Sequence, residues 1–259
     1  SSSSMLSSQP ERYVRVTPST VPGGGLGIKS GTSMSAPLVS GCAAVVWSMH
    51  PAWTAAKVRE RLLKTGEQST VALLIGPRVD LFEAVFNGSF EIGNLAEWTS
   101  TGTASSLATL GPFTPQHRMR MGYASTGPAG DQIGASLKKC FDVQPGVTSF
   151  PISFEYDFIT EEYPEFVGTQ FDDFVIITMT PPGGSPVTLA MESVNASTFS
   201  AVGGIDFPGG DSTTGHTGWK TGTAMVPVTT GAGQYLIEIS DTGDDVYDSV
   251  VLIDNIRLK

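Results

Sequence analysis

The chain changes its hydrophobic rhythm at Asn87-Gly88. Before that point the apolar positions recur at helical spacing. Leu38, Val39, Cys42, Val45, Val46 and Met49 mark one helix, and Ala36, Ser40, Gly41, Ala43 and Ala44 fill its other faces with small side chains. A helix apolar or small almost all round is expected to be buried. Thr32 or Ser33 is placed to cap it, Pro37 fits its first turn, and His50-Pro51 ends it. A second, amphipathic helix is predicted over about 54–64, with Val58, Leu62 and Leu63 inward and Gly66 as its stop. Val79–Val85 reads as a final short helix. Ahead of these, residues 1–25 are rich in Ser, Pro and Gly: Ser1–Ser8 is expected to be disordered, Tyr13–Val16 to form a short strand, and Gly23–Gly25 a flexible loop.

After Asn87-Gly88 the period becomes two. Alternating or β-branched runs, separated by Gly, Pro, Asp and Asn, fall at about 97–102, 105–110, 118–124, 133–142, 148–158, 172–180, 186–193, 197–202, 222–228, 234–240 and 249–258. The alternation is clearest in Phe150–Phe158 and Tyr235–Ser240. Short strands at this spacing predict an antiparallel β-sandwich, a jelly roll. The fold class is therefore mixed: a small α/β part followed by the sandwich. The expected divisions are a partial or disordered segment at 1–25, a helical segment at 26–86, and the sandwich at 87–259.

Charge sharpens that boundary. Residues 1–86 hold eight Lys/Arg and five Asp/Glu (+3), and residues 87–259 hold seven and twenty (−13), which together make the net −10. An acidic surface argues against nucleic acid as a partner and suits hard cations. With 40% hydrophobic and 15% charged residues, the 259-residue chain can bury a sizeable core. Cys42 and Cys140 fall in different halves and are expected as buried free thiols. No apolar run is long enough to span a membrane. Ser1–Gln9 has neither the basic start nor the hydrophobic core of a signal peptide, so a secretion signal would lie upstream of Ser1.

The chemistry concentrates at Ser33. A serine at a helix N-terminus feels the positive end of the helix dipole, and its own N–H is an unpaired donor of the first turn. Both favour a nucleophile whose intermediate is an oxyanion. Gly31-Thr32-Ser33-Met34-Ser35-Ala36-Pro37 closely resembles the nucleophile motif of the subtilases, the subtilisin-like serine proteases. The resemblance runs on through Val39-Ser40-Gly41, Pro51 and the second helix to Val79–Val85. It implies that Ser33 is the acylating serine and that its N–H is half of the oxyanion hole. It also implies that 26–86 is the C-terminal remnant of a doubly wound α/β catalytic domain with a protein or peptide substrate.

The family needs an Asp, a His and an oxyanion-hole Asn upstream of the serine. Ser1–Thr32 contains none of the three. The expectation is thus the C-terminal portion of a secreted endopeptidase, inactive as this chain alone. The alternative is a non-enzymatic extracellular jelly-roll protein carrying a protease relic, binding a cell surface, a glycan or a protein. Either way Leu38–Met49 needs cover, from the sandwich, from another chain or from a missing N-terminal segment. Gly215-His216-Thr217-Gly218 and Asp241-Thr242-Gly243 echo the family's His and Asp motifs but sit among turn residues, and are read as such.

A second constellation is acidic. Glu161-Glu162, Asp172-Asp173, the run Asp241–Asp248 and Asp254-Asn255 place oxygen ligands on loops, the donor set calcium requires. Asp172, Asp173, Asp244, Asp245 and Asp248 are its candidate ligands. Asn87–Glu91, Trp98 and Leu252–Ile256 resemble the first and last strands of carbohydrate-binding-module-like jelly rolls. That resemblance implies a structural calcium between Glu91 and Asp254. Ser153–Gly168, Phe171–Asp173 and Gly243–Ile256 resemble the choice-of-anchor domains of bacterial surface and secreted proteins. Trp98, Trp219, Tyr156, Tyr163 and Tyr247 are candidate sugar platforms, with core burial the favoured reading.

Overall fold

The computed structural model describes residues 17–29, 31–67, 77–116, 120–125, 134–143, 145–208, 210, 212–228, 233–243 and 247–258. The chain divides into two compact units between Glu60 and Arg61, earlier than the 86/87 change of rhythm.

The first unit opens on a hairpin, β1 (Thr17–Val21) and β2 (Gly25–Lys29), paired antiparallel. Gly23 and Gly24 make its turn at φ 98° and 85°, a region that favours glycine. The expected flexible loop is thus the turn of a hairpin, and the expected strand at 13–16 lies outside the described residues. Helix α1 (Thr32–Met49) follows. Its N-cap is Gly31 at φ 137°, so neither Thr32 nor Ser33 caps it. Pro37 consequently falls in the second turn, where its missing N–H deprives the Ser33 carbonyl of its i+4 partner.

α1 is not the buried helix its composition predicts. Val46 is 1% exposed, but Leu38 is 53%, Met49 47% and Trp47 42% exposed. Helix α2 (Ala55–Thr65) straddles the division; the Thr54 hydroxyl accepts from the Lys57 amide at its start. Val58 and Leu62 are buried as the spacing predicts, while Leu63 is exposed.

The second unit includes the end of α2 and α3 (Leu81–Phe86). Asp80 caps α3 by accepting from the Glu83 amide at 2.9 Å, and Asn87 closes it at φ 56°. Buried Arg61 donates from Nε to the Ala84 carbonyl at 2.7 Å. Phe86 lies in the sandwich core, edge-on to Trp98. Contacts like these place α3 with the sandwich.

Twelve strands follow: β3 (Thr99–Thr101), β4 (Thr103–Leu107), β5 (Met121–Ser125), β6 (Ala135–Val143), β7 (Ser149–Thr160), β8 (Phe174–Thr180), β9 (Val187–Ser193), β10 (Ser200–Val202), β11 (Thr214–His216), β12 (Lys220–Pro227), β13 (Gly233–Thr242) and β14 (Ser249–Leu258). They form two antiparallel sheets. One runs β10-β11-β7-β14-β5-β4, with β12 also pairing β7; the other runs β3-β6-β13-β8-β9.

Alternation builds the core. Phe150, Ile152, Phe154, Tyr156 and Phe158 of β7 share one apolar cluster with Val175, Ile177 and Met179 of β8, Tyr235, Ile237 and Ile239 of β13, and Val251 and Ile253 of β14. A second cluster, with Ile159, Val250 and Leu252 at its base, covers the opposite face of the larger sheet. Phe113, Ile205 and Phe207 reach it from loops.

Candidate functional site: the Ser33 turn and the acidic end of the sandwich

Ser33 is the second residue of α1 and is solvent-exposed. Its amide belongs to the unpaired N-terminal donors of the helix, while the next amide, of Met34, turns back onto the Gly31 carbonyl at 3.0 Å. Among the described residues the Ser33 hydroxyl has no hydrogen-bond partner, so no base stands on it within this unit. His50, the imidazole of the same unit, stacks on Trp53 at 3.8 Å.

His216 is engaged elsewhere. Its Nδ1 lies 3.1 Å from Asp157 Oδ2, and its ring tilts against Phe113. Asp157 is fully buried; burial raises its carboxyl pKa, and hydrogen bonds from His216 and Thr217 oppose the rise. His216 therefore pairs with Asp157 on the larger sheet, whereas Asp241 belongs to the other. The structure separates the two echoes of a catalytic triad.

The acidic residues fall into three places. Glu91 and Asp254 flank one loop: Glu91 Oε1 accepts from the Arg120 amide at 3.4 Å, and Asp254 Oδ2 from the Gln116 amide at 3.1 Å. Asp172 points away from the rest, exposed and accepting from the Asn195 amide at 2.9 Å. It serves a turn. Asp173 and Asp248 gather at the third place, one end of the sandwich. Asp244 and Asp245 lie outside the described residues.

That third place includes Glu162 and Asp241, which the candidate ligand set omits; the neighbouring Glu161 instead turns its carboxylate to the Phe207 amide at 2.6 Å. The inward row of β13 ends Tyr235, Ile237, Ile239, Asp241. The inward row of β8, followed backwards, ends Met179, Ile177, Val175, Asp173. Phe158 of β7 leads on to Thr160 and Glu162, and Val251 of β14 back to Ser249. Four rows of core residues thus finish in oxygen. Glu161, Glu162, Asp173 and Asp241 are fully buried and Asp248 is 5% exposed.

Hydrogen bonds knit this end. The Asp173 amide donates to Glu162 Oε2 at 3.0 Å, the Glu161 amide to the Asp248 carbonyl at 3.2 Å, and Ser249 Oγ to Thr160 Oγ1 at 2.8 Å. A side chain on Gly243 would strike the Asp173 carboxylate, so that carboxylate lies directly over the turn backbone. Burial first, then the charges of Asp173 and Asp248, hold the Asp241 pKa well above the carboxylate range. Burial pushes Asp248 up to about 6. The period-two alternation of β13, continued two residues, is the signal that places Asp241 inward.

The aromatic candidates offer no common platform among the described residues. Trp98 and Tyr156 are core residues, and Trp219 packs on the second cluster. Tyr163 rests on Phe199, and Tyr247 on Phe166. Of the two cysteines, Cys42 is half-buried and Cys140 exposed, where buried thiols were expected. No helix among the described residues is long and apolar enough to cross a membrane.

Comparison with known proteins gives matches of two kinds. Residues 5–109 match the Subtilase family. A subtilisin of Bacillus pumilus is 55% identical over 47 residues, which are 18% of this chain and 17% of that enzyme. A subtilisin-like protease of Arabidopsis thaliana is 54% identical over 41 residues, 16% of this chain and 5% of that one. The chain thus spans about a sixth of the Bacillus relative and less of the plant one. Among solved structures, a cleaved adhesin domain of Lys-gingipain from Porphyromonas gingivalis aligns with TM-score 0.42 and 16% identity, over 66% of this chain and 95% of that domain. A carbohydrate-binding module solved with β-1,4-galactotriose aligns with TM-score 0.37 and 14% identity, over 67% and 94%.

Proposed function

We infer that the chain is the C-terminal portion of a secreted subtilisin-like serine endopeptidase, with Ser33 as its acylating serine and the sandwich as an accessory module. The observation that carries this reading is the placement of Ser33. It is an exposed serine in the first turn of a helix, behind a glycine N-cap, within the stretch that matches the Subtilase family. There the hydroxyl can attack a peptide carbonyl, and the Ser33 amide can donate to the oxyanion that forms. A base must take the hydroxyl proton for that attack to be fast. In this proposal the base, its orienting Asp and the second oxyanion donor come from a segment that also covers α1. The chain alone is then inactive. In the same reading Glu91 and Asp254 hold a structural calcium that ties the ends of the sandwich, and the module attaches the protease to a surface, a glycan or a protein.

The second reading, an extracellular binding protein that keeps a protease relic, draws on the absence of a base at Ser33 among the described residues. The two separate in one assay. The 259-residue chain is joined to an upstream subtilase segment that supplies Asp, His and Asn, and peptide hydrolysis is measured. The first reading expects activity that Ser33→Ala lowers at least about 10³-fold. A folded, completed domain whose hydrolysis is unaffected by Ser33→Ala would favour the relic.

A further inference from the structure

We propose that the acidic end of the sandwich is a divalent-cation site, with Asp241, Asp173 and Asp248 as its carboxylates, Glu162 beside them, and calcium the cation it takes. The proposal does not depend on Ser33 and concerns residues other than Glu91 and Asp254.

The first observation is the convergence itself. Asp241 ends the inward row of β13, and Asp173 leads into β8 beside it, where Asp241 faces Val175 and Thr242 faces Phe174. Asp248 leads into β14, whose Ser249 faces Thr160 of β7. Both sheets therefore bring carboxylates to the same end of the sandwich. The second observation is independent: Asp241 is fully buried, and neither of its carboxylate oxygens has a hydrogen-bond partner. The amides of Thr242 and Val251 lie near without reaching hydrogen-bond geometry. The charges that bear on Asp241, those of Asp173 and Asp248, share its own sign.

A buried carboxylate without donors is costly in a folded protein, and several of one sign repel. Two remedies exist. Protons can neutralise the group, or a hard cation can collect the oxygens. The composition favours the cation, because the side chains named here all end in oxygen, the donor preference of calcium. Among the described residues no three such groups stand close enough, as placed, to hold a metal ion. The cation would draw the carboxylates inward against their repulsion and complete its shell with water and backbone carbonyls. Bound there, it would clamp the β7–β14 end of one sheet to the β8–β13 end of the other.

The test uses the purified 259-residue chain, melted in EGTA and in calcium chloride, with calcium binding followed by calorimetry. The proposal expects a melting temperature a few degrees higher in millimolar calcium, and an apparent Kd of about 0.1–1 mM. In a Glu91→Gln background, which removes the other calcium of the proposed function, a shift should remain, and Asp241→Asn should abolish it while melting at or above that background in EGTA, because a repelled charge has gone. Equal melting of the parent in EGTA and calcium would overturn the proposal. So would a full calcium shift in Asp241→Asn, since the group would then be a buried protonated acid. If Asp241→Asn fails to fold, terbium bound to the parent decides instead. Its luminescence, sensitised by Tyr247 next to Asp248, should appear and be displaced by calcium, and its absence would contradict the site.

Discussion

Lys139 shows how burial sets the chemistry of a single group. Its ammonium donates to the Glu97 carbonyl at 3.0 Å and lies 4.9 Å from the Phe86 ring centroid. Burial, opposed by Glu97, lowers its pKa to about 8 from 10.5. The sign of the linkage follows. Between about pH 8 and 10.5 the unfolded chain binds the proton and the folded one has released it, so this group adds stability as pH rises through that window. Thermal melts across the window should show the gain in the parent and lose it in Lys139→Met; identical slopes would refute the assignment. Asp157 obeys the opposite rule. Its carboxyl pKa is raised, so its contribution is full below the unfolded value and is lost as pH rises through the folded one. His216→Ala removes a hydrogen-bond partner from this buried carboxyl and should cost about 1–3 kcal/mol, measured by denaturant unfolding near neutral pH. At this scale the likeness of the Ser33 stretch to the Subtilase family is legible because the neighbours of Ser33 carry the signal. Asp157 is not, since nothing in a strand's sequence reveals which imidazole a distant carboxylate meets.

Elements were legible where side chains alternate strongly. Each of the eleven predicted runs overlaps an observed strand, and in β7, β8 and β13 every second residue enters the core. The sandwich strand that was missed, β11, has only three residues, Thr214-Gly215-His216, too few for a period to show. It is held by pairing to β7 and β10 and not by its own composition. The start of α1 was misplaced for a related reason. Sequence favours a hydroxyl as N-cap, but a glycine in the left-handed region took the position and moved Pro37 inward. Close packing gives this scale its prediction. A methyl on Gly122 of β5 would come 2.6 Å from Ile253 Cγ2 and 2.7 Å from Phe90 Cζ, both fully buried. Gly122→Ala should therefore cost about 1–3 kcal/mol by overpacking. An unchanged unfolding midpoint would mean that this junction is looser than described.

The whole molecule joins parts with opposite needs. The acidic sandwich buries its apolar rows and is complete in itself, whereas α1 exposes Leu38, Val39, Val45, Trp47 and Met49. An apolar surface of that kind calls for a covering partner. The isolated chain should associate as concentration rises in sedimentation velocity, and Leu38→Lys with Val45→Glu should return it to monomer. A parent that stays monomeric at every concentration would count against the covering argument. The composition predicts a helix that wants burial, and among the described residues most of its large apolar side chains are exposed. The central claim, that Ser33 is a protease nucleophile awaiting its base, is tested most directly by the mass of the Ser33 peptide after treatment with a fluorophosphonate. The account predicts a phosphonyl adduct on Ser33 when the domain is completed by a segment bearing the Asp and His, and none on the 259-residue chain alone. A folded, completed domain that leaves Ser33 unmodified would contradict it.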